Sequence, residues 1–312
     1  MTDLLAEPVV AGPGPVSARL SADNVSLGYA GRTVSSALDV RIPDGEFTVI
    51  VGPNACGKST LLRALSRLLA PSSGKVVLDG KDISSYGAKD VARRLGLLPQ
   101  TSLAPDGITV AALVARGRYP HQKLLRQWSE GDEAAVVSAL EATNVTELSG
   151  RLVDELSGGQ RQRVWVAMVL AQQTPLLLLD EPTTFLDIAH QIELLELFKR
   201  LNGEGNTLVA VLHDLNHACR YASHLIAMKD GAVVAEGRPA DVITAGLVEH
   251  VFGLPCMVID DPVSHTPLVI PLSPHYPAPS SSSRRSSVSS RKACTTAATA
   301  GRRMESGRRT SQ

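Results

Sequence analysis

The apolar positions along this chain change period several times, and each change predicts an element. From Ala18 to about Asp44, short alternating runs predict two antiparallel strands, Ser21–Tyr29 and Thr33–Ile42. Phe47–Val51 is a β-rich run that ends at a glycine, and Lys58–Leu69 then has helical spacing with Pro71 as its stop. Val76–Leu78 reads as another short strand. Residues 90–173 read as mostly helical, with breaks at Pro99, Pro105, Pro120 and Gly158–Gly159. Thr174–Glu181 holds four consecutive leucines and ends in two acids, the pattern of a parallel strand buried on both faces. Ile188–Leu201 predicts an amphipathic helix and Thr207–Leu212 a second buried strand. Leu225–Met228 and Val233–Glu236 flank Lys229-Asp230-Gly231, a turn signal, and predict a hairpin. Ala240–His250 predicts a last helix. Strands alternating with helices give an α/β protein with a parallel sheet.

Composition sharpens the ends. Residues 1–16 are rich in Pro, Gly and Ala and read as a flexible arm. Residues 275–312 consist mainly of Ser, Arg, Thr and Ala and bury too little apolar surface to offset their ordering entropy, so they read as a disordered tail. The chain has 31 Lys and Arg against 31 Asp and Glu, yet the tail alone holds eight of the basic residues and one Glu. Its charge would suit anionic lipid headgroups or nucleic acid. Low-complexity ends of this kind usually bind neither, and no nucleic-acid partner is expected. Cys56, Cys219, Cys256 and Cys294 are too far apart in sequence for a metal knuckle or a redox pair, which fits a reducing compartment. The acidic, proline-interrupted N-terminus is no signal peptide, and apolar runs such as Val164–Ala171 fall far short of a membrane span.

Two motifs carry chemistry. Gly52-Pro53-Asn54-Ala55-Cys56-Gly57-Lys58-Ser59-Thr60 satisfies G-x-x-x-x-G-K-[ST] between a predicted strand and a predicted helix. Glycines let such a loop curl so that its amides face phosphate oxygens, and the following helix turns its positive end to the same anion. Lys58 is then placed to reach the β and γ phosphates and the Ser59 hydroxyl to bind Mg²⁺. The second motif is Leu176-Leu177-Leu178-Leu179-Asp180-Glu181. Its buried strand delivers Asp180 to the Mg²⁺ shell and leaves Glu181 beside the γ phosphate, where a carboxylate can act as general base toward water. Two adjacent acids at the tip of an apolar strand are costly unless a cation or ligand engages them.

Leu156-Ser157-Gly158-Gly159-Gln160 resembles the signature motif of ABC ATPases, and the other motifs of that family follow in order. The resemblance covers residues 18 to about 272, and the ATPase domain is placed at residues 17–274. It implies a P-loop ATPase with a RecA-like core, an antiparallel β subdomain and a helical signature subdomain at about 101–173. It implies that Ser157, Gly158, Gly159 and Gln160 cap the γ phosphate of a nucleotide held by a second subunit, although Ser157 also reads simply as a helix N-cap. Tyr29 corresponds to the family's adenine-stacking aromatic and Gln100 to its Mg²⁺- and water-contacting glutamine. Asp187 corresponds to the interface loop, and His213 to the switch histidine at the γ phosphate. Ala55 departs from the family in a slot that is often glycine. Cys56 beside a helix N-terminus is expected to favour thiolate, so that thiol modification blocks ATP binding.

Three stretches further resemble the subgroup serving iron–siderophore importers, with haem and vitamin B12 relatives: Ala115–His121, Thr183–Gln191 and Ile259–Ser264. The resemblance implies a homodimer on the cytoplasmic face of the cell membrane. It implies membrane-embedded permease subunits and, indirectly, a substrate-binding protein. In the family, the helical subdomain that holds residues 101–128 receives the permease; His121 and Trp128 read either as lining that groove or as covering the local core. Translation and repair ATPases of the same class carry doubled or coiled-coil-split cassettes, and exporters are often fused to membrane spans; this sequence has none of these.

Overall fold

A computed structural model describes residues 18–100, 103–122 and 128–273; the predicted arm at 1–16 and tail at 275–312 lie outside the described residues. β1 (Leu20–Tyr29) and β2 (Arg32–Ile42) pair antiparallel, with Tyr29 opposite Arg32. β3 (Phe47–Val51) feeds α1 (Lys58–Leu65) through the glycine-rich loop. The helix stops four residues before the predicted Leu69. Arg67 takes the left-handed conformation at φ 65°, and the amides of Arg67 and Leu68 return to the carbonyls of Ala64 and Arg63. This double closure satisfies the terminal carbonyls, so Pro71 is not what ends the helix.

β4 (Ser73–Leu78) and β5 (Lys81–Asp82) extend the first sheet in the order β2-β1-β4-β5. α2 (Ala88–Ala92) precedes β6 (Leu95–Leu98), a strand inside the stretch predicted as mostly helical. Its pattern Leu-Gly-Leu-Leu is too short to reveal a period, and its partner is remote: Leu95 pairs with Leu176. Gly96 is required there because a Cβ would come within 2.8 Å of Thr174 Oγ1. α3 (Val110–Ala115), α4 (Glu130–Ala142) and α5 (Gly158–Ala171) follow and pack on one another. β7 (Leu176–Asp180), α6 (Ile188–Gly203), β8 (Thr207–Val211) and α7 (Leu215–Tyr221) complete the alternation.

β9 (His224–Lys229) and β10 (Ala232–Gly237) form the predicted hairpin, with Asp230 and Gly231 both at positive φ as a two-residue turn demands. The predicted last helix is in fact two, α8 (Pro239–Val242) and α9 (Ala245–Phe252). Thr244 between them is extended, and its hydroxyl accepts the Leu247 amide as an N-cap. A final hairpin, β11 (Cys256–Asp260) with β12 (Pro267–Pro271), is tied to α7 by two hydrogen bonds between the Asn216 amide and the Val269 backbone.

The larger sheet runs β10-β9-β3-β8-β7-β6, parallel except for β10. Its central strands are buried throughout and split their side chains between two cores. Phe47, Val49, Val51, Leu177, Leu179, Leu208 and Ala210 enter one. Ile50, Leu176, Leu178, Val209 and Val211 enter the other, against α1 and the first sheet. Each strand therefore reads as a continuous apolar run. Their carboxyl ends, at Gly52, Glu181 and His213, come together on one side, where open parallel sheets bind ligands.

Candidate active site

Gly52 leaves β3 where a Cβ would collide with the Met228 carbonyl, so only glycine lets the loop pass. Gly57, at φ 107°, turns the chain into α1. The Lys58 ammonium donates to the carbonyls of Gly52 and Pro53, both at 2.8 Å, and so closes the loop on itself. The Ser59 hydroxyl donates to Asp180 Oδ1 at 2.9 Å, joining the loop to the tip of β7. Burial pushes the Asp180 carboxyl above its ordinary value; Glu181 next door raises it further, against the Ser59 hydrogen bond. Glu181 itself sits at φ 53°, a conformation that persists only where neighbours hold it. His213 Nε2 lies 2.7 Å from Glu181 Oε1, and the Thr184 amide donates to the Glu181 carbonyl at 3.2 Å.

These groups border a cavity of about 680 Å³. Of the residues predicted from sequence, Tyr29, Asn54, Ala55, Gly57, Lys58, Ser59, Thr60, Gln100, Glu181 and His213 line it. Gly52, Pro53 and Cys56 belong to the same loop without lining the cavity, and Asp180 is reached through Ser59. Tyr29 is 42% exposed, with its hydroxyl held by Arg63 at 3.1 Å. Arg32 and Val34 also line the cavity; sequence reasoning missed both. The available signal was the hairpin itself, since a tight turn after Tyr29 returns the start of the next strand to the same mouth.

One expectation is overturned. Cys56 is 5% exposed, and burial pushes its thiol up, outweighing the pull of Lys58 and of the backbone amides. The side chain packs behind Gly52 rather than toward a ligand, because a Cβ on Gly52 would come within 2.8 Å of Cys56 Sγ. The thiolate that would make it reactive is disfavoured.

Ser157, Gly158, Gly159, Gln160 and Asp187 do not line the cavity. They form a second cluster. Ser157 Oγ accepts the Gln160 amide at 3.2 Å while Gln160 Oε1 accepts the Ser157 amide at 3.1 Å, a capping box that starts α5. Asp187 caps α6 and also contacts His190 Nδ1 at 2.7 Å. These hydrogen bonds, the backbone one first, hold the Asp187 carboxyl below its ordinary value. One chain thus presents a cavity bordered by the glycine-rich loop and, apart from it, an exposed helix N-terminus with two glycines.

The donor set suits a hard divalent cation. A hydroxyl, a buried carboxylate and an amide oxygen (Ser59, Asp180, Gln100) are oxygen ligands of the kind that share Mg²⁺ with substrate phosphates. Among the described residues no cluster of three or more His, Cys, Asp or Glu forms a self-sufficient metal cage. No helix among them is long and apolar enough to cross a membrane.

A family profile described as ABC transporter matches residues 36–184. The ferric enterobactin transport ATP-binding protein FepC of Escherichia coli (strain K12) is 59% identical over 85% of this chain and 98% of its own. The achromobactin transport ATP-binding protein CbrD of Dickeya dadantii (strain 3937) is 52% identical over 83% and 96%. The dimeric post-hydrolysis structure of the ATP-binding cassette MJ0796, bound to ADP and Pi, superposes with a TM-score of 0.63 at 28% identity, over 70% of this chain and 98% of that one. The fold, the phosphate loop with its paired acids, and these likenesses agree: the chain belongs to the ABC transporter family, as an ATP-binding, ATP-hydrolysing subunit.

Proposed function

We propose that this chain drives import of iron–siderophore complexes as a twofold dimer on the cytoplasmic face of the cell membrane. The observation that carries the cargo assignment is the 59% identity to a ferric enterobactin transport subunit along 98% of that subunit's length. The dimer is supported by the separation of the two clusters: Ser157–Gln160 lie outside the cavity that Lys58 and Ser59 border, and a second copy brings one to the other. Permease subunits carry the cargo, a substrate-binding protein delivers it, and this chain supplies closure and reopening.

In the closed dimer the Lys58 ammonium exchanges its two loop carbonyls for phosphate oxygens, and Tyr29 stacks on the base. Asp180, Ser59 and Gln100 would hold Mg²⁺, which when bound would neutralise phosphate charge. Glu181 Oε1 faces His213 and Oε2 accepts the Thr184 hydroxyl at 3.5 Å, a long bond that leaves Oε2 the freer oxygen to take the proton of the attacking water. Asp187 and the signature residues Ser157, Gly158, Gly159 and Gln160 close the site from the other subunit. The test is Glu181→Gln. With ATP it is expected to elute as a stable dimer and to lose hydrolysis, and cells carrying only this variant are expected to lose uptake of iron-labelled ferric siderophore. An active Glu181→Gln enzyme removes Glu181 from the base role. Normal siderophore uptake in a strain lacking the chain, with haem uptake lost instead, moves the cargo to haem.

A further inference from the structure

The catalytic carboxylate and the signature helix of one chain serve different nucleotides in the dimer reading, on which this inference rests. They are nevertheless physically joined. α5 begins with Gly158 and Gly159, and the side chain one turn on, Gln162, points back along the helix. Its Nε2 donates to the Pro182 carbonyl at 3.0 Å, one residue beyond Glu181. Positions four apart share a helix face, so Gly158 and Gln162 look toward the same neighbour, and that neighbour is the segment after Glu181. A Cβ on Gly158 would stand 3.4 Å from Phe185 Cβ, and one on Gly159 3.2 Å from Leu186 Cδ2.

The segment has reason to need holding. Glu181 and Phe185 both sit at positive φ, 53° and 67°, conformations that side-chain-bearing residues adopt only under constraint. Pro182 fixes its own φ and donates nothing, so its carbonyl is what the backbone offers there. Besides Gln162, the segment is secured by its own turn, with the Thr184 amide on the Glu181 carbonyl and the Thr184 hydroxyl on Glu181 Oε2 at 3.5 Å, by His213 Nε2 at 2.7 Å from Glu181 Oε1, and by Gln191 Nε2 on the Leu186 carbonyl at 2.9 Å. Gln160 is committed to the cap, which leaves Gln162 as the signature-helix amide that reaches this backbone.

We propose that Gln162 is a positioning residue that fixes Glu181 through the Pro182 carbonyl, so that seating of the signature helix on the partner's nucleotide is felt at the base of its own chain's site. A shift of the α5 N-terminus then moves the Glu181 backbone directly. Loss of the bond leaves nucleotide binding alone, because Lys58, Ser59 and Tyr29 are untouched, and degrades the placement of the carboxylate against water.

The experiment uses the full-length chain with two near-isosteric replacements, Gln162→Glu and Gln162→Met, both of which remove the donor. ATP turnover is measured against ATP concentration, together with thermal unfolding. Each replacement is also combined with Glu181→Gln, and dimer formation with ATP is followed by size-exclusion chromatography. The expected result is a fall in kcat of about tenfold or more, since small misplacement of a reacting group is costly. KM for ATP and the melting temperature stay within experimental scatter of the parent, and the double variants still form the ATP dimer. Unchanged kcat with the dimer intact overturns the proposal. So does a rise in KM together with a lowered melting temperature in both variants, the mark of a packing role. Failure of Glu181→Gln alone to dimerise overturns the dimer reading, and this inference falls with it.

Discussion

Ala55 stands in the phosphate loop at φ 61°, where an L side chain is strained by about 1–2 kcal/mol. Glycine relieves that strain but adds freedom to the unfolded chain worth roughly 0.5–1 kcal/mol. Ala55→Gly is therefore expected to gain about 0.5 kcal/mol net, roughly 1–2 °C in melting temperature for a chain of this size. A melt of the nucleotide-free protein checks it. The motif template made the position visible as a departure from the family; the sign of φ was not written in it. Cys56 is the converse case. Proximity to a helix N-terminus argued for a reactive thiolate, and burial won. Burial raises the thiol's titration above the ordinary 9.0, so at pH 7–8 the group stays protonated in the folded chain. Brief treatment with iodoacetamide is expected to spare hydrolysis and to label Cys56 only after unfolding, as peptide mapping reads out. Cys219 follows the same logic more strongly, its thiol pushed up to about 12 by burial.

At the scale of elements, long buried runs announced themselves and short or capped ones did not. Leu176–Asp180 and Thr207–Val211 were legible because a strand buried on both faces has no polar interruptions. Leu95–Leu98 was hidden because four residues carry no period and its pairing lies about eighty residues away. The split between α8 and α9 turns on one threonine hydroxyl, which a helical run of apolar residues masks. The most consequential pairing among the helices was equally invisible. Arg118, in the helical turn after α3, donates from Nε to Asp132 Oδ1 at 2.8 Å and from its terminal nitrogen to the Ala171 carbonyl at 2.8 Å. Asp132 also closes the capping box with Ser129 at the start of α4. One buried pair thus fastens the ends of three helical segments. Asp132→Asn leaves the guanidinium buried without its counter-charge, and the expected loss is about 3–5 kcal/mol at neutral pH by urea unfolding. The Ser129 hydroxyl first, and then Arg118, hold the Asp132 carboxyl below 3.8. Its folded value is depressed, so the stabilisation is complete above 3.8 and disappears as pH falls through the folded value. The two proteins' stabilities should converge in that acid range.

Over the whole molecule, the motifs disclosed which residues belong to the site, and only the resemblance to ABC ATPases divided them between two subunits. Ten predicted residues do share one cavity, because the carboxyl ends of parallel strands converge. Ser157–Gln160 and Asp187 lie outside it, and no linear motif states which side of a helix faces which subunit. That division makes a mixing experiment decisive. In the proposed dimer, Lys58→Ala chains lack the phosphate-loop ammonium, and Gly158→Asp chains set a carboxylate at the helix N-terminus assigned to the partner's phosphate; each alone is expected to be inactive. Combined, they are expected to recover turnover, since half of the sites in a mixed pair join an intact loop to an intact helix N-terminus. Purified proteins mixed at equal concentration and assayed for phosphate release provide the measurement. The same division has a genetic edge. Where a faulty copy is made in equal amount beside a sound one, random pairing leaves only about one quarter of the pairs wholly sound. Half of the pairs still hold one sound site, as the mixing experiment requires, so in the proposed dimer a defect in either half-site is inherited as partial loss rather than as dominance: the sound copy goes on working inside a mixed pair.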